Sequence, residues 1–82
     1  MKKPERVYEV LSSILRVPLG ELDATSSPDT IANWDSLRHL QVVLALEETF
    51  GIQFSVEEIE AMQSPAVISA IVETRVAAER SE

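Results

Sequence analysis

Apolar residues recur every three or four positions in four stretches of the chain, which is the spacing of helices that bury one face. The stretches cover about residues 4–16, 35–50, 56–62 and 65–78, whereas residues 17–34 show no such period. No stretch fits a strand pattern better than a helical one. The pattern therefore predicts a single all-α domain. We expect a four-helix bundle with three longer helices, a short third helix and a long loop between helices 1 and 2.

Residues typical of helix ends support these boundaries. Pro18 should end the first helix at about Arg16, because the residue before a proline avoids helical angles. Asp35 is a good N-cap for the second helix, and Gly51 suits the left-handed residue that often ends a helix. The later helices have start signals as well: a capping box of Ser55 and Glu58, then the cap Ser64 followed by Pro65.

The core is expected where the apolar stripes face inward. In the third helix these are Val56, Ile59 and Met62, and in the fourth they are Val67, Ile68, Ile71, Val72 and Val76. We expect residues 77–82 to fray. A loop as long as residues 17–34 is unusual in a compact domain unless it is anchored. Leu19, Leu22 and Ile31 are expected to anchor it across the bundle.

The second helix carries two apolar stripes, although a surface helix needs only one. Val42, Val43, Leu46 and Phe50 form the first, and Leu37, Leu40 and Leu44 form the second. Either the helix is buried on most sides, or the second stripe is a docking surface next to Ser36. The small size of the chain favours a docking surface, because full burial is hard to arrange in so few residues. Trp34 is expected to pack against the first turn, with partner contact as the alternative.

Composition excludes several classes of protein. A chain of 82 residues makes one small domain, and its 45% hydrophobic residues suffice for a packed bundle. It has no cysteine and one histidine, so we expect neither disulfides nor a metal site. No apolar run approaches membrane-spanning length, and no signal-peptide core follows Met1. We therefore expect a cytoplasmic protein that does not insert into membranes.

The net charge of −7 is concentrated in the middle of the chain. Between Val17 and Thr74 there are ten acidic residues, and Arg38 is the only Lys or Arg. Such a surface disfavours nucleic acid and anionic lipid and favours proteins with basic patches. Acidic surfaces also serve solubility alone, so charge by itself does not decide between these roles.

Ser36 is the candidate site residue. As a catalytic nucleophile it would need a base and an orienting group. His39 is three residues away, but no orienting acid is evident, and by its helix angle His39 lies beside Val43 and Phe50. We therefore expect no catalytic residue. Ser36 could instead be only a helix cap, but Asp35 can take that role and leave the Ser36 hydroxyl free.

Asp35-Ser36-Leu37 stands at the start of a helix that continues with Leu40, Leu44, Ala45-Leu46-Glu47-Glu48 and Phe50-Gly51. This pattern closely resembles the acyl carrier proteins, over nearly the whole chain. The resemblance implies that Ser36 carries a 4′-phosphopantetheine arm through a phosphodiester. A phosphopantetheinyl transferase would move the arm from coenzyme A, with Mg²⁺. It also implies a monomer that presents acyl thioesters without catalysis of its own.

The resemblance further implies a partner surface, read by loading enzymes, acyltransferases or synthases with basic patches. Its residues would be Leu37, Leu40 and Leu44 with Arg38, Glu47 and Glu48. Fatty-acid carriers are usually acidic at the start of this helix, whereas Arg38, His39 and Gln41 stand there in this chain. That departure disfavours the general fatty-acid synthase. It favours a dedicated pathway, such as a polyketide, a specialised lipid, or acyl modification of a saccharide or small metabolite.

Two alternatives remain. Carriers of aminoacyl groups share the attachment chemistry. The peptidyl type usually has glycines before the serine, where Asn33-Trp34-Asp35 stand here, but the D-alanyl type also has Asp-Ser and stays open. The other alternative is an unmodified acidic helical module that binds a partner through Leu37, Leu40 and Leu44.

Overall fold

The structure is a computed structural model that describes the backbone of residues 3–80 and the side-chain surroundings of residues 5–78. Four α-helices follow one another: α1 (Lys3–Leu15), α2 (Ser36–Phe50), α3 (Val56–Ala61) and α4 (Pro65–Arg80). A short 3₁₀ turn, Leu19–Glu21, interrupts the long loop between α1 and α2. No strand occurs among these described residues. The all-α prediction, with a short third helix and a long first loop, is confirmed.

The ends of α1 and α2 are closed by left-handed residues. Gly51 has φ 66° and ψ 40°, a region that glycine adopts without steric cost. Arg16 adopts φ 60° directly after α1, and the N–H of Val17 then donates to the carbonyl of Ser12 at 3.2 Å. The first helix therefore ends at Leu15, one residue before the predicted position.

The starts of α3 and α4 follow the predicted signals. Ser55 Oγ accepts from the N–H of Glu58 at 3.1 Å, and a Glu58 carboxylate oxygen accepts from the N–H of Ser55 at 2.9 Å. Ser64 Oγ accepts from the N–H of Val67 at 3.3 Å. α4 continues to Arg80, so residues 77–80 are helical rather than frayed. Residues 81–82 lie outside the described part of the chain.

The core lies between α1, α2 and α4 and takes one residue from the end of α3. Its side chains with no exposed area are Val7, Leu11, Leu15, Val42, Leu46, Met62, Ile68 and Val72. Leu22 and Ile31 are buried and anchor the long loop, as predicted. Leu19 is exposed because it lies in the 3₁₀ turn at the surface, so its predicted anchoring role is wrong.

Three further inward assignments need correction. Val56 is 69% exposed, because α3 has only six residues and packs through Ile59 and the adjoining Met62 instead. Val67 is 38% exposed, since it lies about 100° around α4 from the fully buried Ile68. Phe50, the last residue of α2, is only partly buried against the core.

An ion pair joins α3 to α4. Arg75 Nε lies 3.0 Å from each Glu58 carboxylate oxygen, and its Nη2 lies 2.8 Å from Oε1. The hydrogen bond from Arg75, followed by that from the backbone of Ser55, lowers the pKa of Glu58 below its ordinary value of 4.5. The short third helix is thus fixed at its start by Ser55 and tied to α4 by Arg75.

Glu58→Gln is expected to lower the free energy of unfolding at neutral pH by about 1 kcal/mol or less, because solvent screens this partly exposed pair. Folding depresses the pKa of Glu58, so its contribution is present above pH 4.5 and is lost as the pH falls through the lowered pKa. Urea unfolding of wild type, Glu58→Gln and the control Glu73→Gln tests this. A difference between wild type and Glu58→Gln that does not begin to shrink as the pH falls below 4.5 would contradict it.

Candidate functional site

Asp35 sets the start of α2. Its backbone is extended, at φ −105° and ψ −175°, and its Oδ1 accepts from the N–H of Arg38 at 2.8 Å. The side chain thereby satisfies one of the free N–H groups of the first turn. The predicted cap is confirmed, and Ser36 becomes the first residue of the helix.

Ser36 is exposed at this helix tip. Its hydroxyl makes no hydrogen bond to another of the described residues, because the capping role belongs to Asp35. The oxygen can therefore accept a substituent without breaking a contact of the fold. A phosphodiester on this oxygen would lie at a helix N-terminus, where N–H groups and the helix dipole favour an anion. The Asp35 carboxylate works against that preference, but it is exposed to screening solvent.

The two stripes of α2 have opposite environments. Val42, Val43 and Leu46 are buried, whereas Leu37, Leu40 and Leu44 are 64%, 53% and 64% exposed. Burial of α2 on most sides is thus excluded. The three exposed leucines form an apolar surface, which we call the leucine face. It begins one residue after Ser36 and extends to Leu44, over about the first half of α2.

Trp34 and His39 form a partly buried link beside the site. Trp34 is 3% exposed and belongs to the core, so its alternative role in partner contact is wrong. Its Nε1–H donates to His39 Nδ1 at 3.0 Å, and His39 Nε2 lies 2.8 Å from the carbonyl oxygen of Ile59. Because an indole N–H only donates, Nδ1 accepts and Nε2 carries the proton that goes to Ile59. Both ring nitrogens are thus engaged away from Ser36, which argues against a Ser-His nucleophile.

Two charged residues of the predicted partner surface also hold the fold together. Arg38 Nη1 donates to the carbonyl of Ile14 at 3.1 Å, at the C-terminal end of α1. Glu47 Oε2 accepts from the N–H of Phe54 at 3.0 Å, in the turn before α3. Glu48 is exposed. Arg38 and Glu47 therefore present fixed charges, while Glu48 lies free at the surface.

Asn33 has a role that the sequence did not indicate. Its Nδ2 donates to the carbonyl of Leu15 at 2.9 Å, beside the contact of Arg38 with Ile14. Together they cover the last carbonyls of α1, which have no partner within that helix. The partners are 18 and 24 positions apart in the chain, so no local pattern could have found them.

An open depression of about 340 Å³ lies beside Ser36. Its lining residues are Pro28, Trp34, Asp35, Ser36, His39 and Gln63. Three of these six have exposed polar side chains, namely Asp35, Ser36 and Gln63, which suits the amide and hydroxyl groups of a pantetheine chain. An exposed, unbonded hydroxyl at the edge of such a depression fits covalent attachment of that group.

No set of three His, Cys, Asp or Glu residues within residues 3–80 is placed to hold a metal ion. None of the described helices is long and apolar enough to cross a membrane.

Comparison with known proteins supports one family. The family model described as "Phosphopantetheine attachment site" matches residues 5–72. The fold matches the solution NMR structure of a holo acyl carrier protein from Geobacter metallireducens, with a TM-score of 0.87 and 20% sequence identity. The match covers 100% of this chain and 94% of the other. No curated protein sequence matches the chain.

The family match runs from α1 into α4 and includes the helix that begins at Ser36. The fold match extends over the whole bundle and confirms the acyl-carrier type of architecture. The chain belongs to the phosphopantetheine-attachment family, as a carrier protein rather than an enzyme, with phosphopantetheine as its prosthetic group.

Proposed function

We propose that this chain is an acyl carrier protein and that Ser36 Oγ is the atom that bears the phosphopantetheine arm. One observation carries the proposal: the Ser36 hydroxyl is exposed at the tip of α2, with no hydrogen-bond partner among the described residues. Asp35 leaves this hydroxyl free, because the Asp35 side chain caps the helix instead of Ser36. The exposed leucine face next to it supports the same proposal.

The chain's own residues have simple roles in this function. Asp35 fixes the position of Ser36, and the link from Trp34 through His39 to Ile59 holds the surrounding backbone. A phosphopantetheinyl transferase with Mg²⁺ would catalyse attack of Ser36 Oγ on the phosphorus of coenzyme A that bears the pantetheine. Ser36 loses its hydroxyl proton as the phosphodiester forms, while the pyrophosphate bond of coenzyme A breaks and adenosine 3′,5′-bisphosphate leaves. When bound, the group supplies the thiol that this cysteine-free chain lacks, and an acyl group is held on it as a thioester.

The leucine face is the proposed surface for the transferase and for the enzymes that load or use the acyl group. Glu48 adds an exposed negative charge, and Arg38 and Glu47 add charges held in place by Ile14 and Phe54. Partners with basic patches would meet this surface faster, and salt would slow the encounter. A single helix face gives a modest interface, which suits short-lived complexes with several enzymes. The carrier acts as a cytoplasmic monomer in this proposal.

The positions that follow Ser36 favour a dedicated pathway over general fatty-acid synthesis. Arg38, His39 and Gln41 place no acid in the first turns of α2, and the structure uses Arg38 and His39 for internal contacts. We propose service to a polyketide, a specialised lipid, or the acylation of a saccharide or small metabolite. The second candidate, a carrier of aminoacyl groups such as D-alanine, shares the Asp35-Ser36 pair.

Release of the natural cargo tests the function. Protein isolated from its host and treated with neutral hydroxylamine is expected to release one acid, as its hydroxamate, while the phosphopantetheine stays on the chain. Mass spectrometry of both products identifies the acid. Release of an amino acid would show that the chain is an aminoacyl carrier rather than an acyl carrier. If Ser36 bears neither cargo nor arm in protein from the host, the unmodified interaction module is the better account.

A further inference from the structure

The depression beside Ser36 extends from the attachment point to the edge of the core. Ser36 and His39 line it from the start of α2, and Gln63 lines it from the segment after α3. Trp34 lines it as well and also belongs to the buried core cluster. An acyl chain that entered the bundle from this depression would have to pass Trp34 and His39.

His39 blocks the way from this depression into the core, because hydrogen bonds at both ring nitrogens hold its side chain in place. Nδ1 accepts from Trp34 Nε1 at 3.0 Å, and Nε2 donates to the Ile59 carbonyl at 2.8 Å. The imidazole therefore spans from α2 to α3 and to the segment before α2. Moving it aside would leave the indole N–H of Trp34 without its partner at a position that is only 3% exposed. A buried donor without an acceptor is unfavourable, so the closed arrangement is preferred.

The core behind this link is already filled. Leu46, Met62 and Ile68 have no exposed area and belong to the same cluster as Trp34. Protein cores are close-packed, so extra methylene groups can enter only when side chains and helices move apart. A long alkyl chain would thus need both the broken link at His39 and a rearranged core.

We infer that His39 excludes the cargo from the bundle, so that this carrier holds a short or polar acyl group in solvent. The inference rests on the proposed function of Ser36 and adds the class of cargo and the residue that sets it. A long apolar chain would stay exposed to water on this protein, whereas a short or hydroxylated group loses little by exposure. The polar groups of Asp35 and Gln63 around the depression suit such a cargo.

Thioester protection tests this inference. Wild type, His39→Ala and Trp34→Phe are loaded with acetyl- or octanoyl-phosphopantetheine, and loading is checked by intact mass. Gln41→Ala, at an exposed position on the same helix, is the matched control. Cleavage by neutral hydroxylamine is then timed against the same acyl group on free pantetheine. Trp34→Phe keeps an aromatic ring but removes the donor to His39, so it tests the link should His39→Ala fold poorly.

In wild type and Gln41→Ala, we expect both thioesters to be cleaved within about twofold of the free compounds. His39→Ala removes the link and leaves the space of the imidazole, which can take about two methylene groups without rearrangement of the filled core. Octanoyl cleavage is therefore expected to slow by about tenfold or more in this variant, since burial of two methylene groups has that effect. Trp34→Phe should show the same change to a smaller extent. Strong octanoyl protection in wild type, or equal rates in wild type and both variants, would overturn the inference. A long-chain fatty acid as the natural cargo would also overturn it.

A failure of this inference can be told apart from a failure of the proposed function. If Ser36 takes up the acyl-phosphopantetheine but the wild-type protein protects the octanoyl thioester from hydroxylamine, only the proposed role of His39 is wrong. If the intact mass shows no uptake at all, the proposed function itself fails.

Discussion

Ser36→Ala is expected to take up no phosphopantetheine under conditions in which the wild-type chain is loaded completely. Wild type incubated with coenzyme A, Mg²⁺ and a broad-specificity transferase should gain the mass of one phosphopantetheine. The variant lacks the only atom that we propose as acceptor, so its mass should not change. Its fold should be unaffected within about 0.5 kcal/mol, because Ser36 is exposed and its hydroxyl makes no contact within the described residues.

Ser13→Ala is the matched control for that experiment. Ser13 is also an exposed helical serine, but it lies within α1 rather than at a helix start. It should load like the wild type. Uptake by Ser36→Ala, or loss of uptake in Ser13→Ala, would show that the attachment point is assigned wrongly.

Leu46→Ala is expected to lower the free energy of unfolding by about 2–5 kcal/mol, because it leaves a cavity where no side-chain area was exposed. A domain of this size has a total stability near the low end of about 5–15 kcal/mol, so about 0–3 kcal/mol would remain, and a large unfolded fraction is expected only at the upper end of the loss. Urea unfolding followed by circular dichroism measures the difference from wild type.

Leu37→Ala is the matched control, since it removes the same atoms from the other face of α2, where Leu37 is 64% exposed. It should change the free energy of unfolding by about 0.5 kcal/mol or less, and should slow loading instead. Comparable destabilisation in the two variants would contradict the assignment of the two stripes. Phe50, which the sequence places in the same stripe as Leu46, is only partly buried, so a smaller loss is expected for Phe50→Ala than at a fully buried site.

The parts of this fold that could be predicted from sequence are governed by local chemistry. The cap at Asp35, the left-handed Gly51 and the reciprocal bonds of Ser55 and Glu58 each depend on residues within a few positions of one another. The free hydroxyl of Ser36 could be predicted in the same way. Since the Asp35 side chain caps the helix, the Ser36 side chain is not needed for that role. The leucine face followed from the angles of an ideal helix together with the small size of the chain.

The remaining features depend on how the helices meet, which periodicity does not specify. Helix angles placed His39 near the core stripe but could not show that it links Trp34 to Ile59, 20 positions further along the chain. The same holds for the contact of Arg38 with Ile14. The inward prediction for Val56 was wrong for a related reason: a helix of six residues has too few turns for its pattern to define a face.

Localisation of the added group on the loaded chain shows whether Ser36 Oγ is the attachment point. Fragmentation of the loaded wild-type protein by a method that preserves the phosphodiester assigns the added mass to a residue. We expect every fragment containing Ser36 to carry the full mass of one phosphopantetheine and fragments lacking Ser36 to carry none. The same mass on another serine, such as Ser26 or Ser27 in the preceding loop, would contradict this expectation.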